Sequence, residues 1–166
     1  MRIRSTHASI LLLTLAMGAG CDNAVEDPLE EPLVDGPGAF DPAFKTSEKF
    51  FTLMPAPKAG ASPHGISRIW YSANIRPLEG KTKFTVPVGT IAIKEFDSDS
   101  DGTTDGLAVM IKREAGYDTA GHDWYYGMRD LAGITQDMPE PGPIAMCSNC
   151  HANAISMDFL PGFTLR

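Results

Sequence analysis

Cys147 and Cys150 are separated by two residues and are followed at once by His151, in the order Cys-Ser-Asn-Cys-His. Two thiols at that spacing reach two vinyl groups on one side of a porphyrin, and the next side chain turns beneath the ring to ligate iron. The pattern therefore points to a haem c held by two thioether bonds, with His151 as axial ligand. Other uses of two close cysteines have different requirements. A dithiol exchange pair belongs at a strand-to-helix junction in a βαβ unit, and no such pattern surrounds this one. A disulfide here would close a very short loop and stabilise little. Zinc would need a fourth ligand from His64, His122 or a carboxylate. Met157 is the only methionine after the motif and is too close in sequence to cross the ring from His151. Met54, Met110, Met128, Met138 and Met146 are the remaining thioethers of the body, and a buried methionine more often fills a core. An open or weakly held sixth position is the expectation, which suits small-ligand binding or catalysis better than electron transfer.

A second constellation is acidic. In Asp97-Ser98-Asp99-Ser100-Asp101-Gly102-Thr103-Thr104-Asp105, carboxylates stand at positions 1, 3, 5 and 9 and glycine at 6, as in a calcium loop. Asp97, Asp99, Asp101 and Asp105 are thus candidate Ca2+ ligands. Position 12 is Ala108, where an EF-hand supplies glutamate, and the flanks read as strand. A bound ion would pin a hairpin; without one the same residues suit a polar turn.

The elements that must position these groups read mainly as strands. Residues 66–75, 84–96, 107–113 and 124–129 are short, rich in β-branched and aromatic residues, and separated by Gly, Pro and Asp clusters. Alternation along 90–96 sets Ile91 and Ile93 on one face and Ala92, Lys94 and Phe96 on the other. Asp41-Pro42 followed by Phe44, Phe50, Phe51, Leu53 and Met54 predicts a capped helix ended by Pro55 and Pro57. A short helix should carry the haem motif. The expected fold class is α+β: a mainly antiparallel β-sheet with a few short helices and haem c attached near the C-terminus.

Residues 1–20 read as a signal peptide rather than part of this fold. Arg2 and Arg4 supply positive charge, residues 10–17 a short apolar run, and Gly18-Ala19-Gly20 lead to Cys21. The run is too short to span a bilayer. The segment resembles a bacterial lipoprotein signal, with lipidation on Cys21, although Gly18 stands where a branched aliphatic residue is usual. Residues 21–40 are acidic, contain no Lys or Arg and read as a flexible tether. Residues 41–166 then form one haem-binding domain. The chain carries −7 overall, which argues against a nucleic-acid partner. The expected location is the periplasm or outer membrane of a Gram-negative bacterium, with the lipid anchor tying the domain to a membrane.

Several motifs occur in order: Ser62-Pro63-His64-Gly65; Tyr71 and Asn74; Val86-Pro87-Val88-Gly89-Thr90 leading to Ile93-Lys94-Glu95; Val109-Met110-Ile111-Lys112-Arg113; Gly116-Tyr117-Asp118; His122-Asp123-Trp124-Tyr125-Tyr126; then the haem motif with Asp158-Phe159 behind it. Over roughly residues 50–160 this series resembles the cytochrome P-460 family, to which the cytochromes c-prime-beta are related. The resemblance implies a periplasmic mono-haem protein, a homodimer, His151 as proximal ligand and an open distal side. It also implies binding or redox transformation of nitric oxide or hydroxylamine, with a redox partner protein for the electrons. Members that oxidise hydroxylamine carry a lysine cross-linked to haem, whereas the c-prime-beta relatives bind nitric oxide without one. Lys94 is the candidate for such a link, with Lys112 as its rival and an edge-strand lysine as the plainer explanation. Glu114, Asp118 and Asp123 are available acids, and His64 is a distal or structural residue in a loop. The alternative function is a six-coordinate electron-transfer cytochrome tethered to a membrane.

Overall fold

The computed structural model describes residues 42–59, 64–134, 141–161 and 163. The signal segment, Cys21, the acidic tether and Met138 lie outside the described residues. Six strands form one antiparallel sheet: β1 (Phe50–Phe51), β2 (Lys58–Ala59), β3 (Ile66–Ser72), β4 (Ile91–Asp97), β5 (Gly106–Lys112) and β6 (Trp124–Arg129). β3 to β6 are a meander of sequential neighbours. β1 and β2 both pair with β3, at opposite ends of it. A single α-helix, α1 (Ala145–His151), follows the last strand, and four short 3-10 segments complete the secondary structure of the described residues. The sheet and its few short helices agree with the α+β expectation, and no described helix is long and apolar enough to cross a membrane.

The two-residue period of the strands divides the core into two clusters. One contains Trp70, Ile91, Ile93, Leu107, Val109, Ile111 and Tyr125, with Phe44 and Phe50 packed on it. The other contains Tyr71, Ala92, Met110, Trp124 and Tyr126, together with Phe159, Leu160 and Phe163 from the C-terminal segment. Ile91 and Ile93 lie opposite Ala92, as the alternation requires.

Three elements differ from the sequence expectation. The helix expected over 41–54 is reduced to a 3-10 turn, Pro42–Lys45, after which Phe50–Phe51 pairs with Ser72 and Tyr71 as β1. The reason is in the side chains. Phe50 belongs to one cluster and its neighbour Phe51 to the other, a demand that alternating strand geometry meets and a helical stripe does not. The strand expected over 66–75 ends at Ser72, and a 3-10 turn carries the chain to Leu78. The strand expected over 84–96 begins only at Ile91. Pro87 lacks an N–H for the ladder, and Gly89 takes a φ of +81°, so 84–90 runs as an irregular lead-in. That lead-in is held by Asn74, whose Nδ2 donates to Thr90 Oγ1 at 2.9 Å, and by Ser72 Oγ, which accepts from the Ile91 N–H at 2.9 Å.

Candidate cofactor site

The chain returns to β6 after residue 140, where Gly142 and Tyr126 exchange both backbone hydrogen bonds at 2.8 and 2.9 Å. This clamp starts α1 over the second face of the sheet. Ile144 and Cys147 pack against the cluster of that face, Ser148 is buried, and Cys150 is exposed. The close approach depends on Gly121: a Cβ there would lie 3.1 Å from Ser148 Cβ and collide with the Asp118 carboxylate. Both cysteines are free thiols on one helical turn. Burial raises the Cys147 pKa above the ordinary thiol value, and a neighbouring Cys150 thiolate raises it further. A dithiol exchange pair works through a thiol of lowered pKa, so this environment opposes that use.

His151, the last residue of α1, is half-buried and is held from two sides. Its Nδ1 lies 3.0 Å from the Phe159 carbonyl oxygen, so in the tautomer that donates this bond Nε2 keeps its lone pair for a metal. The edge of the ring meets Tyr126 at a centroid distance of 5.5 Å. Burial lowers the His151 pKa, opposed by the Phe159 hydrogen bond and reinforced by Lys94, a shift in the direction of the neutral ring that a metal ligand needs. The carbonyl of Phe159 is presented by a sharp reversal in which Asp158 and Phe159 both take left-handed backbone angles, φ +52° and +64°.

Asp158 is a buried carboxylate with a partner on every side. Oδ2 accepts from Lys112 Nζ and from the Val86 N–H, both at 2.8 Å, and Oδ1 lies 2.9 Å from His122 Nδ1. Its backbone carbonyl accepts from Trp124 Nε1 at 2.7 Å. Lys112 also donates to the His122 carbonyl at 2.6 Å. Lys112, the rival for a haem link, is therefore spent on Asp158.

The sheet opposite α1 has an unusual burial pattern. Ile69, Lys94, Ala108 and Met128 are partners across four consecutive strands, β3 to β6, and each is only half-buried, although β4 and β5 are central. Their neighbours on the other face, Ile93, Leu107 and Val109, are fully buried. Phe96, in the next row, is half-buried as well and meets the His64 ring at 5.6 Å between centroids. His64 reaches this row because Gly65, φ +61°, lies directly against the Asp97 carbonyl, where any Cβ would collide. Lys94 and His64 share their surroundings with the helix motif. Burial lowers the Lys94 pKa and a Cys150 thiolate opposes it, while burial, Lys94 and His151 together lower His64 to about 4. The half-buried row of mostly apolar side chains thus lies on the sheet face whose core cluster Cys147 packs against, with Lys94 close enough to feel Cys150. No family model and no curated protein matches this chain.

These residues fit a covalently bound haem on their chemistry: a thiol pair on one turn, a neutral imidazole with Nδ1 engaged, and an apolar wall. They do not fit zinc as well, because Cys147, Cys150 and His151 do not bring three ligand atoms within 4.8 Å of one another. That convergence occurs only at Asp97, Asp99 and Asp105 among the described residues, with Asp101 outside the group. Their oxygens already serve the turn. Asp97 accepts from the Asp101 and Gly102 N–H groups at 3.1 and 2.8 Å, Asp105 from the Ser98 N–H at 2.7 Å and from the Ser98 hydroxyl, and Asp101 from the Thr103 N–H at 2.7 Å. Of the other acids, Glu114 is exposed, and Asp123 Oδ1 accepts from the N–H groups of Gly116 and Asp118 at 3.1 and 2.9 Å, closing its own loop. The role of Asp158 had no signal in spacing. Only the backbone reversal brings it to Lys112 and His122.

Proposed function

We propose that this chain is an exported c-type haem protein, anchored through Cys21, that binds or redox-transforms a small nitrogen ligand, nitric oxide or hydroxylamine, at an open iron site. The observation that carries the reading is the half-buried row Ile69, Lys94, Ala108 and Met128 on the same sheet face that Cys147 packs against, beside the oriented His151. Haem, when bound, supplies one-electron redox chemistry and an iron with affinity for such ligands. The chain's own residues do the rest. Cys147 and Cys150 tether the ring, His151 offers Nε2 while Phe159 holds its Nδ1, and Ile69, Ala108 and Phe96 keep water from the wall. Lys94 and His64 bring the polar groups there, and Lys94, on the haem-facing row, is the amine to test for a covalent link to the porphyrin edge. The likeness to the cytochrome P-460 family and the c-prime-beta proteins supports the same chemistry, an electron partner and a homodimer.

Met128 favours a second reading, because its thioether lies in the same row and a methionine ligand would make a six-coordinate electron carrier. Nitric oxide added to the ferrous, haem-loaded protein distinguishes the two. The open site predicts an immediate absorption change. A slow or absent change that becomes fast in Met128→Leu establishes the carrier instead.

A further inference from the structure

Four separate parts of the fold converge on one residue, three of them on its carboxylate, which no step above requires. Asp158 receives Lys112 from the end of β5, the Val86 N–H from the lead-in to β4, and His122 from the turn before β6, while Trp124 of β6 holds its carbonyl. The next residue, Phe159, is stacked on His122 at 4.2 Å with 25° between the rings. Both residues hold left-handed angles that non-glycine side chains rarely adopt, and such a conformation persists only where its surroundings over-determine it. The one group this reversal delivers to the site is the Phe159 carbonyl, 3.0 Å from His151 Nδ1.

We infer that Asp158 is the positioning residue for the axial ligand: through its grip by Lys112, Val86 and His122 it aims the Phe159 carbonyl at His151 and so sets how strongly that imidazole donates to iron. This rests on the haem reading. A hydrogen bond at Nδ1 raises the basicity of the opposite ring nitrogen. A firmly aimed carbonyl gives the ring more imidazolate character, which strengthens the bond to iron and favours the ferric state. The distance from Asp158 to His151 is bridged by one peptide unit and its geometry, so Asp158 acts on the ligand without touching it.

The test compares wild type, Asp158→Asn and His122→Phe, each produced with haem-attachment machinery. Haem content, the iron–histidine stretching frequency of the ferrous protein and the reduction potential are measured. Asp158→Asn removes the charge that Lys112 and His122 hold, and is expected to lower the stretching frequency and raise the potential. His122→Phe keeps a ring against Phe159 but loses the hydrogen bond to Asp158, and is expected to shift both in the same direction by less. It decides the matter alone if Asp158→Asn fails to fold. Full haem content with frequency and potential unchanged in the folded variants overturns the inference and leaves the haem reading intact. A wild type without haem overturns the haem reading first, and this inference with it.

Discussion

The ion pair of Lys112 and Asp158 can be interrogated by a double-mutant cycle whose size follows from burial. The two side chains are 8% and 5% exposed and 2.8 Å apart, so the small values typical of surface pairs do not apply. Lys112→Met leaves a buried carboxylate that retains only the Val86 N–H and His122. Removing one member of a buried pair costs about 3–5 kcal/mol, and the two surviving partners put this variant near about 3. Asp158→Asn still accepts from Val86 but leaves the ammonium with the His122 carbonyl and the Trp124 face, 5.4 Å from the ring centroid, at a cost of about 4 kcal/mol. The double variant buries no charge, and should also cost about 4 kcal/mol, giving a coupling of about 3 kcal/mol. Urea unfolding followed by far-ultraviolet circular dichroism, with constant m values, measures all four proteins. Two single variants each within about 1 kcal/mol of wild type, and additive in the double, would refute the claim that this pair locks the reversal.

Three further outcomes are expected. The His64 pKa is depressed to about 4 from 6.5, so the unfolded chain takes up the proton first, and stability of the haem-free protein falls as pH drops from 6.5 to about 4. His64→Gln should flatten that stretch of the stability curve by about 1 kcal/mol, the ring being partly open to solvent; an unchanged curve contradicts the burial of His64. Gly121→Ala should destabilise by about 1–3 kcal/mol and lower haem incorporation, since its Cβ pushes on Ser148 and so on α1. A wild-type melting temperature in that variant argues against the close packing. Asp97→Ala removes the acceptor of two backbone N–H groups in the β4–β5 turn and should cost about 1–2 kcal/mol by calorimetry, with or without added calcium. No loss would mean the turn is held by other contacts.

Much of this fold is legible in the sequence. The four long strands are expected over 66–75, 84–96, 107–113 and 124–129 from β-branched and aromatic runs between Gly and Asp clusters, and all four exist, the first ending earlier and the second starting later than expected; the two faces of β4 follow from simple alternation. What escaped was set by tertiary context. Phe44, Phe50 and Phe51 have helical spacing on paper, but two sheet faces compete for them, and a two-residue strand serves both. At the site, Cys147, Cys150 and His151 are adjacent in sequence and so announce themselves. Lys94 was legible as a lysine on an apolar face, whereas Asp158, Lys112 and His122 are far apart in the chain and meet only because Asp158 and Phe159 turn left-handed. Of the calcium-like set Asp97, Asp99, Asp101 and Asp105, ligand oxygens of Asp97, Asp99 and Asp105 converge, while Asp101 Oδ1 accepts from the Thr103 N–H and lies outside that group.

The most direct test of the account is the absorption spectrum and peptide mass of the mature protein made in a host with haem-attachment machinery. The account predicts a haem absorption that survives denaturation and a peptide containing Cys147, Cys150 and His151 heavier by the mass of one haem. A colourless protein, or that peptide carrying two unmodified thiols, would contradict it.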